Sequence, residues 1–486
     1  GPSRKARGAA SQLRRNKWIN RQVTRMANSG NLLRLLQTIK YHMSEMNALN
    51  LATALHRTTR LAVSGAGGAT VDWLLHHPSF LLLRSTVVNQ IRSALNPDPD
   101  APAEAQFEVQ CMSIVCWSCA TLRMHEEQLM ADIAEIAVPR LEELKPFELS
   151  NMVWAYAKLS MGKPALFEAV SKRMQAREHG EFSLQCLSMI AWSFATAKMK
   201  DPALLSSLAK EISANAPTAK SQEIANTLWA YAKLRCAEVA LFNALGDSAV
   251  QGNMLRNFKP QELSNTVWAF ATVGLKHPEL FRNVVPVAIA KRRELSPQNS
   301  ANILWAYAKL QVCRHSGLFP ALIGASVGNV PNHKPQELSA IVWAAAREDH
   351  ASCRRFIGTT AQFCSERLHE FPPKVLASMI EAFAVVSKNN GGFSEAMARE
   401  SVGRLHQFEP MALTNLFRGV VLVARRRPPH PGAGSPPTTG HDADMCTIAA
   451  HITERLGELK DSDLCHVANS LQILGPAHTE SRPATA

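Results

Sequence analysis

The sequence predicts an all-α protein, an α-solenoid of right-handed type built from about eleven paired-helix repeats of 37–39 residues. Three observations predict it. Trp117, Trp154, Trp192, Trp229, Trp268, Trp305 and Trp343 follow one another at steps of 37, 38, 37, 39, 37 and 38 residues. Each stands in a near-copy of one phrase: ELSNMVWAYAKL around Trp154, EIANTLWAYAKL around Trp229, NSANILWAYAKL around Trp305. Nothing in the repeats alternates with the period of two that strands require. A period in the range of about 20–50 residues marks stacked supersecondary units, none of which buries its apolar face alone.

The register continues beyond the tryptophans. Steps of 38 and 37 from Trp343 reach Glu381 and Arg418, inside runs that match the phrase in apolar and small positions. Gln472 takes the same slot 54 residues later, and His56 takes it 61 residues before Trp117. These two outer repeats are irregular and read as caps.

Each repeat reads as two helices. The first opens at a proline in KPFELS, in KPQELS at Pro260 and Pro335, and in SPQNSA at Pro297. Proline suits a first helical turn, where its missing N–H has no partner to lose. The second helix carries an apolar anchor thirteen residues after the Trp slot: Phe167, Leu205, Phe242, Phe281, Leu318 and Phe356. Pro164, Pro202 and Pro278, at Trp+10, mark the turn between the helices.

The expected organisation follows. Residues 1–44 form a basic arm or residual transit segment, 45–104 an N-terminal capping repeat with a loop insertion, and 105–424 the regular solenoid. Residues 425–444 are a Pro/Gly-rich loop, and 445–486 are C-terminal capping helices and tail. A shorter Gly-rich break, SGAGGAT, spans 64–70.

Net charge is +13, unevenly spread. Residues 1–100 hold 14 Lys and Arg against four Asp and Glu, and the first acid is Glu45. Such a cationic segment is suited to nucleic-acid phosphates, through Arg14, Arg15, Lys17, Arg21 and Arg25. An Arg-rich, acid-free start also matches an organellar targeting segment; the reading favours a mature arm. No run of 18 apolar residues occurs, so no spanning helix and no membrane partner are expected. The ten cysteines lack a disulfide-framework spacing, which points to a reducing compartment.

On a helix with the Trp slot at 0°, the apolar slots −5, −2, −1 and +2 cluster between about 160° and 260°. Slots −7, −3 and +4 make a polar stripe. Gln185, Gln222, Gln261, Gln298 and Gln336 stand at −7, Asn226, Asn265 and Asn302 at −3, and Lys158, Lys233, Lys309 and Arg347 at +4. Lysine could take phosphates while amides bond base edges or the 2′-OH of a single-stranded RNA. Alternatively, the near-constant Asn and Gln satisfy backbone groups at the seams between repeats. The Trp slot itself reads as the packing core of each repeat.

Catalytic signals are missing. Cys116 and Cys119 form a CxxC with Cys111 nearby, but no second ligand pair accompanies them, and they fill core slots. There is no P-loop, GxSxG or HExxH. No enzyme, cofactor, metal or small-molecule substrate is expected.

The phrase ELSNxxWAYAKL and its period resemble the octotricopeptide and heptatricopeptide helical repeats of organellar RNA-binding proteins, over roughly residues 45–475. Those families in turn resemble the Fas-activated serine/threonine kinase-like mitochondrial proteins, and many end in a nuclease-like RAP domain. No RAP segment is recognisable here. The resemblance implies RNA contact at the Gln, Asn and Lys slots, and residence in the mitochondrion or, alternatively, a plastid. The expected function is therefore a noncatalytic RNA-binding protein, a component or assembly factor of the mitochondrial ribosome that binds rRNA and neighbouring proteins of the particle. The alternatives are an organellar RNA maturation or stability factor, and a protein–protein scaffold of armadillo or HEAT type.

Overall fold

Proline and glutamate set where the repeats begin. The computed structural model describes residues 4–65, 70–95, 107–313, 316–348, 350–386, 391–425 and 440–474. In it, the backbone N–H groups of Lys145, Lys220, Lys259 and Lys334 donate to the carboxylates of Glu148, Glu223, Glu262 and Glu337 at 2.8 to 2.9 Å. Each bond satisfies a backbone donor at a helix start, and the negative charge complements the positive end of the helix dipole.

The first helices also end alike. Arg123, Ser160, Lys198, Arg235, Gly274 and Gln311, six residues after the Trp slot, take left-handed backbone with φ between 53° and 78°. The next N–H then bonds back five residues, as Met161 does to Tyr156 and Cys236 does to Tyr231, both at 2.9 Å. This geometry closes the helix and turns the chain into the second one.

The described residues form 24 α-helices and no strand. The chain divides into two compact halves, Gly1–Ser248 and Ala249–Ala486. In the N-terminal half the first helices are α1 (Arg4–Asn28), α3 (Ala48–Ser64), α6 (Val109–Leu122), α8 (Pro146–Lys158), α10 (Leu184–Thr196) and α12 (Ser221–Lys233). Between them run α2 (Leu32–His42), α4 (Val71–His76) with α5 (Pro78–Leu95), α7 (Glu127–Ala137), α9 (Pro164–Ala176) and α11 (Pro202–Asn215), and α13 (Val239–Val250) follows α12. In the C-terminal half the first helices are α14 (Pro260–Val273), α16 (Pro297–Leu310), α18 (Pro335–Ala345), α20 (Pro373–Val386), α22 (Pro410–Arg425) and α24 (Asp461–Leu474). The second helices there are α15 (Pro278–Ala290), α17 (Leu318–Val327), α19 (Ala351–Cys364), α21 (Gly391–Val402) and α23 (Gly440–Glu454).

Within each half, successive first helices pack on one another in one layer and the second helices line the other. This is the stacked-pair, solenoid-like repeat that the period predicts. The +13 anchors Phe167, Leu205, Phe242, Phe281, Leu318 and Phe356 are all buried. No described helix is long and apolar enough to cross a membrane.

Two expectations change. The described part of residues 1–44 is not an arm: α1 and α2 form a helix pair of the array, ahead of the eleven repeats counted from the phrase. Ile19, Val23 and Ala27 of α1 are buried where it packs on α2 and α3, and that burial holds a basic helix in place. Of the two expected loops, residues 66–69 and 426–439 lie outside the described residues. The flanks are more helical than expected, since Arg425 ends α22 and residues 440–444 open α23.

Candidate nucleic-acid interface

The tryptophans are not the core. All seven are partly exposed, whereas Tyr156, Phe194, Tyr231, Phe270 and Tyr307, two residues after the slot, are fully buried. The expectation of a Trp packing centre is therefore corrected to the +2 position. A residue at +2 points about 200° away from the slot, into the seam with the preceding repeat. There Tyr156 Oη donates to the carbonyl of Met130 at 2.5 Å, Tyr231 to Leu205 at 2.6 Å and Tyr307 to Phe281 at 2.7 Å. Each acceptor is the +13 residue of the previous repeat.

The Trp slot instead lies on the outer face, and in three places the rings of neighbouring repeats meet. In the N-terminal half the Trp192 and Trp229 centroids are 6.2 Å apart with planes at 27°, and His56 sits 4.9 Å from Trp117. In the C-terminal half Trp305 and Trp343 are 6.5 Å apart at 38°. Offset ring contacts at such distances are stabilising.

The polar stripe flanks these rings. Gln185, Gln222, Gln261, Gln298 and Gln336 are exposed, and Asn226, Asn265 and Asn302 are half-buried. Among the described residues their side-chain amides make no hydrogen bond to protein. Two seam bonds that such amides could have supplied come from slot −6 instead. Asn50 Nδ2 donates to the Asn16 carbonyl and Asn299 Nδ2 to Ser264 Oγ, each at 3.0 Å. Gln110, at −7, is the exception: its Nε2 donates to the Glu143 carbonyl at 3.0 Å. Between α16 and α18 the stripe deepens into a cleft lined by Gln298, Asn302, Lys334, Gln336, Glu337 and Ala340. Ala340 stands at −3, where the preceding repeat carries Asn302, and its small side chain leaves the space.

The +4 cations divide. Lys158 and Lys233 are exposed and carry no ion pair, which suits a phosphate contact. Lys309 holds its ammonium 4.6 Å from the Trp305 ring. Arg347 lies 3.5 Å over Trp343 and donates to that residue's carbonyl at 2.9 Å. Burial there pushes the Arg347 guanidinium below its ordinary pKa, and the side chain, still charged, lies as a lid on the indole.

On α1, Arg14, Lys17, Arg21 and Arg25 are exposed and face no carboxylate among the described residues. Arg15 is committed elsewhere. It makes two bonds to Glu45, at 2.7 and 2.9 Å, and covers Trp18 at 4.6 Å. The Arg15 hydrogen bond, before its charge, holds the Glu45 carboxyl below the usual range. The period missed this helix, although Trp18 stands 38 residues before His56 and the spacing was there to be used.

The cysteines of the CxxC are buried. Burial pushes the Cys111 and Cys119 thiols up to about 12 and the Cys116 thiol further still, which leaves them unreactive. Among the described residues no group of three His, Cys, Asp or Glu converges on one point. What the outer face offers is hydrogen bonding, cations and ring edges. No protein-family model matches the chain, and no curated protein matches it.

Proposed function

We propose that this chain is a noncatalytic RNA-binding helical-repeat protein of the mitochondrion, working as a component or assembly factor of the mitochondrial ribosome. One observation carries the reading: the cleft between α16 and α18, where the unbonded amides of Gln298, Asn302 and Gln336 meet Lys334. An amide presents both donors and an acceptor, so three of them beside a cation can hold base edges, 2′-OH groups and a phosphate together. The ring ladder limits what the tryptophans add. Trp192 with Trp229 and Trp305 with Trp343 are in mutual contact and leave no gap for an intercalated base, so the exposed edges of these four serve as walls rather than platforms. The resemblance to organellar helical-repeat proteins supports the same reading.

The test is co-sedimentation of the tagged chain with mitochondrial ribosomal particles, followed by ultraviolet crosslinking and sequencing of the attached RNA. Crosslinks to rRNA within the particle are expected. Crosslinks confined to other transcripts would replace the ribosomal role with RNA maturation or stability. Particle association without any RNA crosslink would favour the protein scaffold.

A further inference from the structure

Two cations, Lys17 and Arg21, occupy positions that other repeats keep apolar and buried. In α8 the slots −5, −1, +2 and +3 are Leu149, Val153, Tyr156 and Ala157, all buried, and Tyr156 bonds the preceding repeat. Counting from Trp18, the same slots of α1 are Leu13, Lys17, Asn20 and Arg21. Leu13, Lys17 and Arg21 are exposed, and Arg14 and Arg25 border them on the same side. A further apolar repeat could not stack here without burying unpaired charge, which costs several kcal/mol per ion, on the order of the whole gain from a small seam. The face is therefore built for another kind of contact.

Its chemistry selects the occupant. Arg14, Lys17, Arg21 and Arg25 follow at three- and four-residue steps, so they align on one side of a rigid helix over roughly 16 Å. Asn20, Thr24 and Asn28 line the same shallow groove as Lys17, Arg21 and Arg25. Residues 4–44 contain no acid, and the nearest, Glu45, is taken by Arg15. Trp18, beside this face, has Arg15 over its ring and His42 edge-on at 5.2 Å, and the exposed Tyr41 ring lies beyond it, edge-on to His42 at 4.7 Å; neither ring lines the groove. The groove can grip phosphates and 2′-OH groups, yet it offers no free ring on which an unstacked base could rest. Base-paired RNA presents phosphates and 2′-OH groups and keeps its bases stacked, whereas single-strand sites are built on aromatic platforms.

We propose that this face of α1 docks the phosphate backbone of base-paired RNA, as a second contact distinct from the amide stripe. The proposal rests on the RNA-binding reading of the chain and adds the kind of RNA and the place where it sits. Because the contacts fall on phosphates, binding is independent of sequence.

The experiment compares the full chain with a variant carrying Arg14→Gln, Lys17→Gln, Arg21→Gln and Arg25→Gln. Both are titrated with a blunt RNA duplex of about 16 base pairs, a length one compact RNA-binding module spans, and with one of its strands made unstructured. A second variant, Gln298→Leu with Asn302→Leu and Gln336→Leu, alters the stripe alone. The α1 variant should keep its melting temperature and lose at least tenfold in duplex affinity. Its slope of log affinity against log salt should be shallower by about three, because up to four counterion-releasing contacts are gone. The stripe variant should keep duplex binding. Unchanged duplex affinity and salt slope in the α1 variant would overturn the proposal, as would a wild-type chain that binds the single strand but not the duplex. That second outcome would leave the RNA-binding reading of the stripe standing. Duplex loss in the α1 variant, with no single-strand loss in the stripe variant, would instead keep the α1 site and remove the stripe.

Discussion

Tyr231 Oη donates to the carbonyl oxygen of Leu205 at 2.6 Å, across the seam between one repeat and the one before it. Trp229, two residues earlier on the same helix, lies partly exposed beside Trp192. The repeated phrase is named by eye for its tryptophan, but the tyrosine holds the stack.

Tyr231→Ala should therefore cost about 3–5 kcal/mol, the usual loss for truncating a buried aromatic. Tyr231→Phe, which loses only the hydroxyl bond, should cost about 1 kcal/mol. Trp229→Ala should cost clearly less than Tyr231→Ala, because part of its ring is already in water. Urea unfolding of the three variants gives the order, and a Trp229→Ala loss exceeding that of Tyr231→Ala would return the Trp slot to the core.

The left-handed residue that ends each first helix gives a second expectation. Lys198 sits there with φ 59°, a conformation that costs an ordinary residue about 1–2 kcal/mol. Lys198→Gly should raise stability by about 0.5–1 kcal/mol after the extra chain entropy of glycine is counted. Gly274→Ala, at φ 78°, should lower it by a similar amount. Thermal melts of both variants should shift in opposite directions.

These same residues show what the sequence could and could not reveal. The period, the proline openings and the +13 anchors were legible because each demands a residue type: proline for a free first turn, a large apolar side chain for the interior. The helix ends were not, since only Gly274 among six such positions is glycine and the rest are Arg, Ser, Lys or Gln. The Trp slot was misread for a related reason. Large aromatics are commonly buried, and that habit outweighed the helical wheel, which had set the slot about 160° from the nearest edge of the apolar arc on one side and about 100° on the other. The exposure of the Gln slots could be read from the wheel, but a sequence cannot say that Asn302 leaves its amide unbonded among the described residues while Asn299 spends its own on Ser264. On α1, the surrounding charge hid that Ile19, Val23 and Ala27 pack the helix onto its neighbours.

A third expectation concerns pH. His56 is half-buried with its ring against Trp117. Burial first, then the charges of Arg57 and Arg60, hold its pKa below the ordinary imidazole value. His42, buried near Trp18, is lowered in the same way. Both groups take up a proton more readily when unfolded, so their contribution to stability is complete above about pH 6.5 and is lost as pH falls through the folded value. The melting temperature should drop between pH 7.5 and 5. His56→Phe should reduce that drop while keeping a ring against Trp117, and an unchanged pH profile in the variant would remove His56 from the account.

The central claim is that the amide stripe binds RNA, and its most direct test is the affinity of one variant. Gln298→Leu, Asn302→Leu and Gln336→Leu replace three amides that bond nothing in the protein with side chains of similar size. Stability should change little, because no internal hydrogen bond is broken. Affinity for single-stranded RNA, measured at fixed salt by fluorescence anisotropy, should fall by at least tenfold, which corresponds to about 1.4 kcal/mol. A folded variant that binds single-stranded RNA as tightly as the parent chain would contradict the account.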